Sequence, residues 1–301
     1  ISAYYILRKR HMDFARRSFT GALIFATIFS LLQLVSGHSN AIMVAEHQPA
    51  KLAAFEGHFE TGPGDLSVIG WPNAEEQRMD WNIAVPGMLS WLISFDTEEP
   101  VIGLDKFPEE QQPPIALTFM SYHVMVGLGM FFIAVTLLAV VLLWRGKLFE
   151  QRWLMWVFVL AVVPAVAANQ LGWVSAEVGR QPWIVHPRME RDDMGEIVYT
   201  DEGYVQYVDE GMLTSDGHSE AISRGEVMGS MIMFGLIYLL LGGLWLFVLN
   251  HKIHVGPSPA HPPGARTERG IAAAAAARTT HEDTMTEAKT PEPEAEKERG
   301  P

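Results

Sequence analysis

Trp173, Glu177 and Arg180 stand in the run Trp173-Val-Ser-Ala-Glu177-Val-Gly-Arg180-Gln-Pro-Trp183. On a helix they fall at i, i+4 and i+7 and share one face. A carboxylate there can bind the metal of a cofactor, and a guanidinium can grip a cofactor's acidic groups. The competing reading is a Glu177–Arg180 pair that closes a helix bundle, with the tryptophans as interfacial anchors. A second candidate is His123 with Met125. A thioether is a known haem ligand and raises the iron's reduction potential. Two residues apart, though, these side chains point to different helix faces and do not easily share one site. Read from spacing alone, Met125 is one of 15 methionines that pack, and His123 is a hydrogen-bonded structural histidine. The third candidate is the run Gln48-Pro-Ala-Lys51-Leu-Ala-Ala-Phe-Glu56-Gly-His58-Phe-Glu60, which reads as a short helix. Lys51 and Glu56 beside a membrane face could hydrogen-bond and deprotonate a quinol; the alternative is an ordinary solvated amphipathic helix. His38, His47 and His58 lack i, i+4 spacing and support a zinc site only weakly.

The elements that must hold these groups belong to a membrane. The 301 residues are 49% hydrophobic, with a mean hydropathy of +0.11. The apolar residues gather into four blocks near 19–38, 116–144, 153–178 and 228–250. Each is long enough to cross a bilayer, which takes roughly 20 helical residues. With no cysteine, disulfides, thiolate-bound zinc and cysteine-ligated iron–sulfur clusters are excluded. A formal charge of −13 argues against nucleic acid. Residue 1 is Ile and no signal peptide opens the chain. Residues 1–7 read as the last turns of a further helix, so the natural N-terminus is expected upstream.

Loop charge predicts the orientation. Residues 8–17 carry five basic groups against Asp13, and the 145–152 connection carries Arg145, Lys147 and Arg152 against Glu150. Both should be cytoplasmic. Residues 39–116 hold 13 acidic and 3 basic groups, and residues 186–226 hold 11 and 3. Both should face outward. A tail over 251–301, rich in Pro, Ala, Glu and Thr, is expected to be disordered and cytoplasmic.

These segments resemble subunit I of the cytochrome bd-type quinol oxidases. Gln48-Pro-Ala-Lys51 through Glu56, with Glu60-Thr61 after it, resembles the start of that family's quinol-binding loop, and Val101-Ile-Gly-Leu104 a later stretch of it. Gly179-Arg180-Gln181-Pro182-Trp183, with Gly172-Trp173 and Glu177 before it, resembles the family's most recognisable motif. Ile1-Ser-Ala-Tyr-Tyr with Phe14-Ala-Arg-Arg17-Ser-Phe19, and Gly225-Glu226-Val227, resemble further stretches. The likeness runs in order from residue 1 to about 257.

The resemblance implies an all-α membrane protein. Four transmembrane helices would form the C-terminal part of a larger bundle, with a long external quinol-binding loop over 39–115. The 1–18 stretch would be a cytoplasmic connection, 145–152 a cytoplasmic loop, and 179–227 an external loop with an insertion. The implied activity is quinol oxidation with reduction of dioxygen to water, in a bacterial or archaeal cytoplasmic membrane. The implied cofactors are a low-spin haem b, a high-spin haem b and haem d or a variant haem. By the same resemblance Lys51 and Glu56 would engage the quinol, Met125 would ligate the low-spin iron, and Glu177 would ligate the high-spin iron. Trp173 would sit between haems, Arg180 would hold haem carboxylates, and His123 would stand where the family usually has a basic residue, commonly Arg. The expected partners are quinol, dioxygen, oxidase subunit II, membrane lipid and the N-terminal helices of subunit I. Those helices carry the family's haem-ligating histidines and proton-path acids, so this fragment alone is expected to be inactive. The loop resembles the short-loop branch of the family, and residues 186–209 have no family counterpart. The alternatives are a haem-free membrane scaffold, or a secondary transporter whose path is lined by Glu177 and Arg180.

Overall fold

The computed structural model describes residues 1–257 except 218 and 220. The expected disorder of the tail beyond 257 lies outside the described residues. Helix α1 (Ser2–Leu7) turns into α2 (Met12–His47), the first helix long and apolar enough to cross a membrane. The others are α5 (Ile115–Trp144), the pair α6 (Arg152–Leu160) and α7 (Val162–Val178), and α8 (Arg224–Val255). The third span breaks at Ala161 because Pro164 has no N–H to give the Leu160 carbonyl.

The helices outrun the apolar blocks. α2 continues past residue 38 to His47, and the segment 39–47 is therefore helix rather than loop. It stops where Pro49 disfavours helical backbone at Gln48, whose φ is −140°. α8 begins at Arg224 behind a Ser223–Glu226 capping box. It carries Lys252 and His254 in its last turn, so residues 251–255 are helical rather than tail. An apolar block marks what the lipid needs, whereas caps and prolines mark where the backbone stops.

α5 lies along α7, while α1 packs on α2 and α6. A core of Tyr5, Ala15, Phe19, Ala139, Leu154 and Met155 joins these helices at the end nearest α1. α8 stands apart: among the described residues none of its side chains is buried. Its last turn is held where the Tyr5 hydroxyl donates to the Ile253 carbonyl (2.7 Å) and Arg10 to the His254 carbonyl (3.3 Å). A helix apolar on every side needs lipid or another protein around it.

The connection between α2 and α5 is built, not loose. Helix α3 (Pro49–Glu56) ends at Gly57, whose φ of +63° is a left-handed conformation suited to glycine. Strand β1 (Gly62–Pro63) pairs later with β4 (Pro100–Val101), and β2 (Leu66–Asn73) pairs antiparallel with β3 (Arg78–Val85). The register sets Ile69 opposite Ile83 and Trp71 opposite Trp81. Helix α4 (Met88–Ser94) follows. Val44, Leu52, Phe55, Leu89 and Val101 form the core of this region.

The connection after α7 begins with β5 (Trp183–Val185), which pairs with β6 (Met212–Leu213). Between them, the inserted residues fold back on themselves through the bridges Met189–Tyr207, Arg191–Ile197 and Tyr199–Val205. They pack on the first connection. Val205 shares a buried cluster with Ala50 and Phe107. The Val205 amide donates to the Lys106 carbonyl (3.0 Å), and Arg191 donates to the Glu46 carbonyl (3.2 Å).

Candidate functional site

The short helix α3 touches both helices that carry candidate ligands, and its two candidate residues face different ways. Lys51 and Glu56 are five residues apart, about 140° around a helix. The Lys51 ammonium donates to the Ala176 carbonyl at the end of α7 (3.1 Å), a favourable place for a cation on the helix dipole. Burial lowers the Lys51 pKa from its usual value, and Arg180 lowers it further, while Glu177 acts in the opposite sense. Two cations thus stand beside one carboxylate.

Arg180 makes an ion pair with Glu177, both of them partly exposed. Its Nε is buried without a partner among the described residues, so the guanidinium has a donor to spare. Trp173 is 65% exposed. Gly179 explains why α3 comes so close: a Cβ there would meet the Ser175 carbonyl oxygen at 2.7 Å, Phe55 at 3.1 Å and the Lys51 stem at 3.2 Å.

Glu56 points the other way and is buried, at 3% exposure. Burial raises its pKa from 4.5 to about 8, against hydrogen bonds from the Tyr122 hydroxyl and the Ser67 backbone that lower it. Its Oε2 has no partner among the described residues. Glu56 lines an open, polar cavity of about 440 Å³ together with His58, Glu60, Thr61, Asp65, Ser67 and Asn82. A carboxyl that gains and loses its proton near neutral pH, next to a cavity, is suited to general-base work.

On α5, consecutive residues face separate neighbours. The His123 ring bridges two carbonyls, with Nδ1 3.0 Å from the Phe119 oxygen and Nε2 2.8 Å from that of Ser67. Ser67 in turn donates its hydroxyl to the Glu56 carbonyl (2.9 Å). His123 therefore ties the helix to β2 and lies apart from the Met125 sulfur, as their spacing requires. Met125 meets α7 at Gly172, where an added Cβ would lie 2.8 Å from the sulfur. Glu177 is five residues farther along α7, about 7.5 Å at the helical rise. Trp173 belongs to the stretch between them.

The structure thus brings Lys51 to Glu177 and Arg180, and Met125 to the same helix, while Glu56 looks into a separate cavity. Tyr122, Ser67, Gly172 and Gly179 are contributors that spacing did not reveal, because each acts through a contact distant in sequence. No group of three or more His, Asp or Glu side chains that could hold a bare metal ion occurs among the described residues.

The family model described as cytochrome bd terminal oxidase subunit I matches residues 1–257. The putative cytochrome bd menaquinol oxidase subunit I of Bacillus subtilis (strain 168) is 34% identical over 202 residues, covering 64% of this chain and 45% of that protein. The cytochrome bd ubiquinol oxidase subunit 1 of the same organism is 29% identical over 267 residues, covering 85% and 52%. Among solved structures, the bd oxidase from Geobacillus thermodenitrificans superposes with a TM-score of 0.68 at 27% identity, over 85% of this chain and 54% of that one. The chain spans about half the length of the relatives it matches.

Proposed function

The chain belongs to the cytochrome bd terminal oxidase subunit I family, and we propose that it supplies the quinol-oxidising region and two iron ligands of a membrane quinol:oxygen oxidoreductase. The observation that carries this reading is the position of α3. One short helix sets Lys51 against the α7 motif and Glu56 against α5. Quinol chemistry and electron acceptance are thereby brought within a few side chains of each other.

The residues fit a haem. Met125 offers a thioether and Glu177 a carboxylate, from neighbouring helices. The Arg180 Nε is a buried donor awaiting an acceptor, which a haem carboxylate would provide. Met125 would hold a low-spin haem b, and Glu177 the high-spin haem b beside haem d or a variant of it. Trp173, on α7 between those two levels, would lie between haems. Bound haem supplies the electron path from quinol to dioxygen. The chain's own residues do the rest. Glu56 accepts the proton of a quinol hydroxyl, and Lys51 and Arg180 hold negative charge at the α7 end. The apolar spans keep this chemistry at the membrane. His123 adds no ligand in this reading; it fixes the loop.

The acidic connections 48–114 and 179–223 face outward, and the basic 145–151 connection faces the cytoplasm. The remaining ligands come from N-terminal helices of subunit I, and subunit II completes the assembly. Lys51→Ala and Glu56→Ala, each in the assembled oxidase, should lower quinol oxidation at least tenfold while leaving the haem absorption spectrum in place. Loss of haem in either variant would make the loop structural and overturn the proposal.

A further inference from the structure

We propose that the connection between α2 and α5 carries a membrane anchor: the exposed apolar face of the β2–β3 hairpin, led by Trp81 and Ile83, lies in the interfacial layer of the bilayer and holds the connection down on the lipid. The layer is the one on the side opposite the basic 145–151 connection. Such an anchor depends on the membrane spans and is independent of any role for Glu56.

The hairpin has one packed face and one bare face. Ser67, Gly70 and Pro72 are buried, and the Ser67 carbonyl is bonded to His123 of α5. On the bare face Ile69 stands opposite Ile83 and Trp71 opposite Trp81. All four are exposed, Ile83 to 62%. Such cross-strand pairs form a continuous apolar surface, which marks a partner or a membrane.

Helix geometry gives the height of this face. The hydrocarbon core of a bilayer is about 30 Å thick, and headgroups add about 5–7 Å on each side. His123 lies about 32 Å along α5 from Trp144, the last apolar residue before Arg145 and Lys147. The His123 Nε2 is 2.8 Å from the Ser67 oxygen, so the base of the hairpin stands at the far edge of the core. Toward the other end Met79, opposite Pro72, packs on the cluster that includes Ile115 at the start of α5, about 44 Å from Trp144. The isoleucine and tryptophan pairs fall between these levels. Their order matches the layer. The isoleucines are nearer the core edge, the tryptophans come next, and Glu75, Glu76 and Arg78 gather at the turn. Aliphatic side chains favour the acyl boundary, tryptophan the headgroups and charge the water.

A second element reaches the same height from another helix. The ring of Phe95, just past α4, lies 6.1 Å from that of His38. His38 is about 32 Å along α2 from Arg17. Phe95 is exposed and meets the exposed Trp91 edge-on. Two bare apolar patches, held at one height by separate helices, fit a flat lipid surface. Residues 39–116 carry 13 acidic groups against 3 basic ones, so the attachment is apolar and needs no anionic lipid.

The chain has no cysteine, so Ile83→Cys, Trp81→Cys and Glu75→Cys can each carry one nitrobenzoxadiazole label. The assembled oxidase, its other subunit freed of reactive cysteine, is placed in phosphatidylcholine vesicles with or without phosphatidylcholine spin-labelled near the head of an acyl chain. The spin-labelled lipid should quench the labels at 81 and 83 by about twofold or more, while aqueous iodide leaves them bright. At 75 iodide should quench and the lipid should not. Added phosphatidylglycerol should not strengthen the lipid quenching. Both test positions replace exposed side chains, and they report independently, so failure of one variant to assemble leaves the other to decide. Iodide quenching at 81 and 83 would place the hairpin in water. Quenching by neither agent would mean that protein covers it, whether subunit II, N-terminal helices or a second copy. Either result would overturn the anchor.

Discussion

Glu56→Gln should make the region around α3 more stable while impairing the oxidase. Burial raises the carboxyl pKa from 4.5 in water to about 8 in the fold. The folded state therefore binds the proton more tightly than the unfolded chain does. This contribution to stability is complete below about pH 4.5, declines as pH rises, and is lost once pH passes the folded value. The shift of about 3.5 units, at 1.36 kcal/mol per unit, amounts to roughly 5 kcal/mol by pH 9 and about 3 kcal/mol at pH 7. Glutamine has nearly the same shape and carries no charge to desolvate, so it should recover most of that loss. Amide hydrogen exchange over residues 49–70 of the assembled protein, wild type against variant at each of pH 6, 7.5 and 9, reads the local stability directly. Protection should already be greater in the variant at pH 6, where the wild type has lost roughly 2 kcal/mol, and the gap should widen by at least a further tenfold at pH 9. Equal protection at pH 9, or lower protection in the variant, would refute the argument that Glu56 is buried at the cost of its charge.

Other perturbations probe separate contacts. Gly179→Ala places a methyl group against the Ser175 carbonyl, Phe55 and Lys51; it should push α3 off α7, cost about 1–3 kcal/mol by overpacking, and raise the KM for quinol several-fold in steady-state assays. His123→Ala frees the Ser67 carbonyl, so exchange over β2 should quicken while the low-spin haem spectrum persists. Cysteines placed at Glu75 and Ser215 should react with an impermeant thiol reagent in intact cells and one at Lys147 should not; the opposite pattern would invert the orientation.

Much of the membrane architecture was legible in sequence because its cause is local. A bilayer demands apolar runs of a set length, and four such runs became four helical spans, the third broken at Ala161. Helix ends were less legible, since α2 runs to His47 through residues that are not uniformly apolar and stops only at a proline constraint. The candidate residues were legible as types and as a family likeness, but not as a constellation. Nothing in the spacing of Lys51 and Glu56 says that one meets α7 and the other α5; that depends on where α3 lodges. Tyr122 was invisible for the same reason, being one aromatic residue in an apolar helix until Phe55 and Glu56 are brought against it. The inserted residues 186–209 carried no motif, yet they pack on Ala50 and Phe107 and so brace the loop. Such contacts join residues many tens of positions apart, beyond the reach of any periodicity.

In the proposed oxidase, α5 and α7 present two different ligands to two different irons. The reduced-minus-oxidised absorption spectrum separates them: the assembled oxidase is measured with Met125→Leu, which keeps the side-chain volume and removes the sulfur, and with Glu177→Ala. Met125→Leu should abolish the low-spin haem bands and spare the high-spin bands, and Glu177→Ala should do the reverse. A low-spin spectrum and potential unchanged by Met125→Leu would contradict it, and would leave Met125 as a packing residue against Gly172.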